Sequence, residues 1–438
     1  MSSTKLFFVA GNPILHSKSP DMFLAAFRAC VMDDALYLRF ASSKTEEIVQ
    51  TARNIGILGF NITSPYKEEI LPYLDDVEVT ARKSGAVNTI VLNKGKLKGF
   101  NTDIEGVKNA LLVHGVVIRG KKALILGAGG AAKAAVFALV AEGAEVTIIN
   151  RTFEKAQSIA RILSCEAAPM EIIEQKMEGV DILISCLSEN KHIVPSRSLT
   201  ENLVVLDAHY REETQLVCEA KAKGCMVIDG REWLLYQGAQ AFSHFTGQEP
   251  PVAVMRRALY DDRAFIKRNI ALVGFMGAGK STVGRHLSGM LKMSHIDIDS
   301  VIAQKQGSSI ENIFEQRGEE AFRRMEEKEL HSAANMSGRI ISCGGGAVLN
   351  KASMDHLRKH ALVVWLNVRV DTFLQRTAHD RSRPLLNVQD RKTAVDKILR
   401  IRKNYYAYAS DFFINTDEKE PVEIAKRIYD ESNTSLGN

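Results

Sequence analysis

Short apolar runs alternate with helix-period segments along almost the whole chain. Runs such as Ala123-Leu124-Ile125-Leu126 and Ile270-Ala271-Leu272-Val273 show no polar alternation, as a strand buried on both faces of a parallel sheet requires. Each leads into a glycine loop and then a helix pattern. The first passes through Gly127-Ala128-Gly129-Gly130 into an Ala-rich helix from Ala131 to Ala141. The second passes through Gly274 to Gly279 into a helix from Lys280. Repeated strand–loop–helix units predict a parallel α/β architecture. The opening run Lys5-Leu6-Phe7-Phe8-Val9-Ala10 reads as a first strand, too short for a signal-peptide core. No apolar stretch approaches the about 20 residues of a membrane span.

Composition narrows this further. A chain of 438 residues exceeds one hydrophobic core, so two or three domains are expected. The formal net charge is only +5 and no basic block stands out, which argues against nucleic-acid binding and suits small anionic substrates. Cys30, Cys165, Cys186, Cys218, Cys225 and Cys343 are scattered without a CxxC pair, which predicts a reducing, cytoplasmic setting. The polar stretch Asp261-Asp262-Arg263, just after an Ala-Leu-containing helix, marks the joint between two halves. The joint is short, so the halves are expected to touch. Oligomeric state is not legible.

The second glycine loop, Gly274-Phe275-Met276-Gly277-Ala278-Gly279-Lys280-Ser281, fits GxxxxGK[ST] directly after an apolar strand. Its glycines let backbone N–H groups curl around phosphate oxygens at a helix N-terminus. Lys280 would neutralise charge on a transferred phosphoryl and Ser281 would ligate Mg²⁺. Gly277, Ala278, Gly279 and Thr282 complete the ATP cradle. Downstream come Asp297-Ile298-Asp299, read as two carboxylates on one side of a strand end, then Glu319, Phe322-Arg323, Glu326, Gly344-Gly345-Gly346 and Arg383-Pro384-Leu385-Leu386. Taken together, residues 269–431 resemble shikimate kinase. The resemblance implies that Asp297 holds the Mg²⁺ shell through water and that Asp299 binds the shikimate hydroxyls and favours deprotonation of the attacking one. It gives Arg323 and Arg402 the substrate carboxylate, and Arg383 the transferring phosphoryl. The backbone of Gly344, Gly345 and Gly346 would approach the ring. Asn404 stands where the family usually has proline.

The first glycine loop, Gly127 to Ala132, fits GxGxxA between a strand and a helix, a dinucleotide site. An NAD enzyme would place an acid after the next strand, Glu145-Val146-Thr147-Ile148-Ile149. Here stand Asn150-Arg151-Thr152 with Lys155 close behind, and cationic groups suit a 2′-phosphate, so NADP(H) is expected. Gly127, Gly129, Gly130 and Ala131 would cradle the pyrophosphate.

Ahead of this loop lie Asn12-Pro13-Ile14-Leu15-His16-Ser17-Lys18-Ser19-Pro20, Asn61 to Glu69, Gly85-Ala86-Val87-Asn88-Thr89 and Gly99-Phe100-Asn101-Thr102-Asp103. Together they resemble shikimate dehydrogenase over about 5–257. The resemblance implies that Ser17, Ser19, Thr63, Asn88 and Gln237 hydrogen-bond the substrate, with Tyr210 near it. It makes Lys67 and Asp103 the catalytic pair and adds Gly230 to the cofactor set. Reducing a ketone with hydride requires a proton for the forming alkoxide, and a Lys beside a carboxylate can deliver it. Two stretches depart from the family: Ser185-Cys186-Leu187-Ser188-Glu189-Asn190 near the nicotinamide end, and Tyr210-Arg211-Glu212 in place of Tyr-Asn-Pro.

The expected architecture is a substrate-binding α/β domain over 1–103, rejoined by 237–260, and a Rossmann-type NADP domain over 104–236. A linker at 261–268 leads to a P-loop kinase domain of nucleoside monophosphate kinase type over 269–438. The expected function is a bifunctional enzyme of the shikimate pathway. It would reduce 3-dehydroshikimate with NADPH, then phosphorylate shikimate with Mg²⁺ and ATP. Left open are an active kinase carrying a non-catalytic dehydrogenase-like half and one carrying a quinate-preferring half.

Overall fold

A computed structural model describes residues 4–187, 190, 193–262, 267–378 and 390–433. Among them, six strands form one parallel sheet in the order Met226–Ile228, Val204–Asp207, Ile182–Ser185, Lys122–Leu126, Glu145–Ile149, Glu166–Ala168. The apolar run at 123–126 is central here, and its residues are at most 2% exposed. Burial on both faces is why the run shows no alternation.

The other strands form a single sheet of eleven. Its first five are Ser294–Asp297, Arg339–Ser342, Asn269–Gly274, Ala361–Asn367 and Phe412–Asn415, all parallel. Ala35–Ala41 lies next, parallel to Phe412–Asn415 through the single register pair Phe413↔Phe40. Lys5–Gly11 and Gly59–Ile62 follow in parallel, then the antiparallel pair Thr89–Asn93 and Lys96–Phe100, and finally Asp76–Val77.

The two halves of the chain therefore share one sheet. At the seam the rings of Phe40 and Phe413 stack, with centroids 4.4 Å apart and planes 1° from parallel. Polar contacts flank the stack: Asn415 Nδ2 donates to Thr51 Oγ1 at 2.5 Å and Lys403 Nζ to the carbonyl of Ile55 at 2.8 Å. Near the sequence joint, Asp262 accepts from Lys18 at 2.7 Å and from Arg231 at 3.2 Å. No helix among the described residues is long and apolar enough to cross a membrane.

Candidate active sites

The first site forms where three loops at strand ends meet the helix Gly230–Thr246. Lys67 Nζ donates to Asp103 Oδ2 at 2.5 Å, and the two side chains are only 16% and 9% exposed. Asp103 opens the helix Asp103–Val113, and its backbone is fixed from both sides. Asn101 Oδ1 accepts from its N–H at 3.3 Å, while Trp233 Nε1 donates to its carbonyl at 3.1 Å. Asn88 Oδ1 accepts from the Thr102 amide at 2.8 Å, and Asn88 Nδ2 donates to Gln237 Oε1 at 3.2 Å. A cavity of about 200 Å³ collects Ser17, Ser19, Thr63, Lys67, Asn88, Asp103, Ala131, Tyr210, Gly230 and Gln237. Every substrate residue expected in the first half thus lines one space.

The cofactor loop reaches the same space. Gly127 has φ +109°, and a side chain there would meet the Cys186 carbonyl at 3.0 Å, so glycine is required. A Cβ on Gly130 would sit 3.1 Å from Lys67, so the glycine loop touches the catalytic candidate. The Gly127 amide bonds the carbonyl of Ile149, which brings the end of that strand beside the loop. Asn150, Arg151 and Thr152 follow directly, with Lys155 in the first turn of the helix Phe153–Leu163. Arg151 and Lys155 are exposed, available to a 2′-phosphate. In the departing stretch, burial pushes the Cys186 thiol pKa up. Ser188 and Glu189 lie outside the described residues.

Two cavity residues were quoted from the sequence without a role. His16 lines the cavity, and its Nδ1 has no hydrogen-bond partner among the described residues. Burial, then Arg211, Arg39 and His209, lowers its pKa to about 3, so the ring is neutral. Asn61 also lines the wall, held by Tyr37 OH at 2.6 Å and donating to Thr89 Oγ1 at 2.8 Å.

The second site is built on the strand Asn269–Gly274 and the helix Lys280–Leu291. Gly274 has φ +148°, and a Cβ there would strike the Leu366 carbonyl at 2.5 Å. Lys280 Nζ donates to the carbonyls of Gly274 at 2.9 Å and Phe275 at 3.0 Å, folded over the loop it would serve. Ser281 Oγ hydrogen-bonds Asp297 Oδ2. This hydroxyl–carboxylate pair is a hard-oxygen set suited to Mg²⁺, which commonly takes few protein ligands beside phosphate and water. Gly277, Ala278, Gly279 and Thr282 line an adjoining groove of about 800 Å³, together with Arg369 and Arg376.

The two carboxylates do not share a strand end as expected. Asp297 closes the strand Ser294–Asp297, and its Oδ1 accepts from the Ser300 amide at 3.1 Å. That cap starts the helix Ile298–Gln306 at once, so Asp299 sits in a helical first turn. The turn aims Asp299 at the triple glycine. A Cβ on Gly344 would lie 2.9 Å from Asp299 Oδ1 and 2.1 Å from Glu326 Oε1, and one on Gly346 would lie 2.3 Å from Arg323 Nη2. At Gly344 and Gly346 a side chain would therefore collide with the protein's own Asp299, Glu326 and Arg323. Arg323 Nη1 donates to Glu326 Oε2 at 2.6 Å. Arg402 and Tyr406 both donate to the Gly345 carbonyl, at 3.2 and 2.7 Å. Glu326, 3% exposed, is quoted from the sequence without a role, and burial pushes its pKa up against the pull of Arg323. Arg383 lies outside the described residues.

Comparison with known proteins finds relatives for both halves of the chain. Residues 9–90, 111–208 and 230–260 match family models of the shikimate dehydrogenase substrate binding domain, shikimate/quinate 5-dehydrogenase and the shikimate 5'-dehydrogenase C-terminal domain. Residues 276–433 match the shikimate kinase family model. A shikimate dehydrogenase (NADP(+)) of Methanosarcina mazei is 40% identical over 275 residues, covering 59% of this chain and 98% of that protein. Another from Pyrococcus furiosus is 38% identical over 260 residues, covering 58% and 94%. A crystal structure of the Thermus thermophilus shikimate 5-dehydrogenase with NADP(H) and shikimate is 34% identical with a TM-score of 0.54, covering 58% of this chain and 98% of that one. By sequence and by fold, the chain belongs to the shikimate dehydrogenase family and carries a shikimate kinase domain behind it, two enzymes of one pathway in a single polypeptide.

Proposed function

We propose that the chain reduces 3-dehydroshikimate to shikimate at the first site and phosphorylates the shikimate 3-hydroxyl at the second. The observation that carries the first step is the Lys67–Asp103 contact at 2.5 Å inside the cavity lined by Ser17, Ser19, Thr63, Asn88, Tyr210 and Gln237. NADPH supplies the hydride when bound. Lys67 Nζ holds the proton for the substrate oxygen, and Asp103 keeps that nitrogen aimed. The hydroxyl and amide groups around them grip the remaining oxygens of the ring. Arg151 and Lys155 take the 2′-phosphate, while Gly127, Gly129, Gly130, Ala131 and Gly230 form the cradle. The intact pair weighs against a half retained only for binding, which needs no acid–base group.

At the second site, ATP with Mg²⁺ supplies the phosphoryl group. Lys280 and the backbone of Gly277, Ala278 and Gly279 hold phosphate oxygens, with Thr282 beside them, and Ser281 and Asp297 hold the metal. Asp299 takes the proton of the attacking hydroxyl, and Arg323 and Arg402 hold the carboxylate. Arg383 serves the transferring phosphoryl. In this reading residues 1–103 with 237–260 bind the first substrate and 104–236 bind NADP(H). Residues 261–268 link them to the kinase at 269–438.

The test gives purified protein 3-dehydroshikimate, NADPH and Mg·ATP and follows NADPH absorbance and product mass. Shikimate 3-phosphate formed with stoichiometric NADPH loss is expected. Shikimate accumulating unphosphorylated would overturn the kinase assignment, and unchanged NADPH would overturn the dehydrogenase assignment.

A further inference from the structure

The shared sheet brings the last described helix of the kinase, Pro421–Asn433, against the loop that opens the dehydrogenase cavity. Glu431 on that helix is 0% exposed, and its Oε2 accepts from the amides of both Ile14 and Leu15 at 2.9 Å. One turn earlier Arg427 donates to Asn12 Oδ1, to the Gly11 carbonyl at 3.3 Å and to the Ser42 carbonyl at 3.0 Å. The Ser42 carbonyl also accepts from Tyr66 OH at 2.8 Å, tying in the loop that carries Lys67. Arg427 and Glu431 are themselves paired at 3.5 Å. A buried carboxylate is costly unless charge-paired and hydrogen-bonded, and here the donors include loop amides of the other enzyme.

The bracing runs on to the cavity. The Ser17 amide donates to the Ile14 carbonyl at 2.9 Å, so the residue pinned by Glu431 in turn fixes Ser17. His16, between them, lines the cavity. The Ser17 carbonyl is gripped from the far side by Arg39 at 2.6 and 2.9 Å. Arg211, the cation standing in the altered Tyr210-Arg211-Glu212 stretch, is within electrostatic reach of Glu431 and of His16.

We propose that Glu431, with Arg427, is a positioning residue for the dehydrogenase, supplied by the kinase half. It sets the Gly11–Ser17 loop and through it the substrate contact at Ser17. This rests on the reading of Ser17 as a substrate contact. The kinase helix acts as a brace behind its neighbour's substrate loop, and the fusion makes the first enzyme depend on the second for substrate affinity.

The test uses the full chain with Glu431→Ala and Glu431→Gln. Gln retains an oxygen able to accept from both amides, and Ala has none. Glu431→Ala should raise the dehydrogenase KM for shikimate about tenfold with a smaller change in kcat, the pattern of a lost binding contact. Gln should restore KM to within about threefold, since hydrogen bonding and not charge is then kept. Kinase constants should hold in both, and hydrogen exchange at Ile14 and Leu15 should quicken in the Ala variant alone. A Glu431→Ala enzyme with unchanged KM and unchanged exchange overturns the proposal, and so does a Gln variant as impaired as Ala. Should Glu431→Ala not fold, Arg427→Met carries the same expectation for KM, and an unchanged KM there is equally fatal. A wild-type chain inactive toward shikimate and NADP⁺ would instead overturn the function proposed above.

Discussion

Lys67 and Asp103 stand 36 positions apart, and an isolated pair of this kind on a surface contributes almost nothing. Their setting makes them different. The side chains are mostly withdrawn from water, Asp103 is held at its amide and carbonyl, and the glycine loop sits against Lys67. Lys67→Ala should cut dehydrogenase kcat by about 10²- to 10⁴-fold, the usual worth of a positioned proton donor. Phosphorylation of added shikimate should be untouched. NADPH oxidation at wild-type rate in that variant would remove Lys67 from the chemistry. That Lys67, Asp103 and Asn88 belong to one cavity was legible through loop motifs that together resemble a family. The placement of His16 and Glu326 was not. A histidine beside Ser17 gives no sign of whether its ring faces solvent or cavity. Glu326 sits in a charged helix motif, and nothing in the spacing shows that Arg323 and the glycines enclose it.

Among the elements, the kinase depends on a loop pressed against a broken helix. The segment Ile310–Asn335 is interrupted at Gly318, where φ is +77° and ψ 166°. The helix restarts with Glu319, Arg323 and Glu326 spaced for one face, and both acids bond the arginine, at 3.0 and 2.6 Å. The triple glycine closes over that face. The motif spacing was visible in sequence, but the restart at Gly318 was not, because one glycine in a helical pattern reads as tolerated. The same limit produced the misplaced Asp299: alternation in Asp297-Ile298-Asp299 suggests a strand, and only the cap from Asp297 shows the helix beginning. Gly346→Ala should leave the fold intact, since φ is −105° and the obstructing atoms are the end of a flexible side chain. It should displace Arg323 and raise the kinase KM for shikimate about 10- to 100-fold, the scale of a lost hydrogen bond to a charged group. The KM for ATP should stay near wild type. A variant that weakens ATP and shikimate equally would mean the loop serves the whole domain and not the carboxylate clamp.

At the scale of the molecule, the joint indicated that the halves touch, but not how. Ala35–Ala41 and Phe412–Asn415 each read as an ordinary apolar strand, and nothing in either run marks it as the partner of the other. Physical chemistry supplies the reason for their pairing. A bare apolar edge strand invites association, and each half covers the edge of its neighbour. The seam is sealed by Phe40 and Phe413, both 0% exposed, with Phe8 packed 5.6 and 6.0 Å from them. Apolar residues of both halves belong to the same buried clusters on either side of the sheet. Deleting one ring leaves a cavity whose cost is about 3–5 kcal/mol. Phe413→Ala is a change in the kinase half, yet that cost falls on a core both enzymes share. Dehydrogenase and kinase activities should therefore be lost at the same lowered temperature when the variant is heated and assayed for each. A dehydrogenase that keeps its wild-type midpoint while the kinase fails early would mean that the halves unfold separately and that the seam is only a contact.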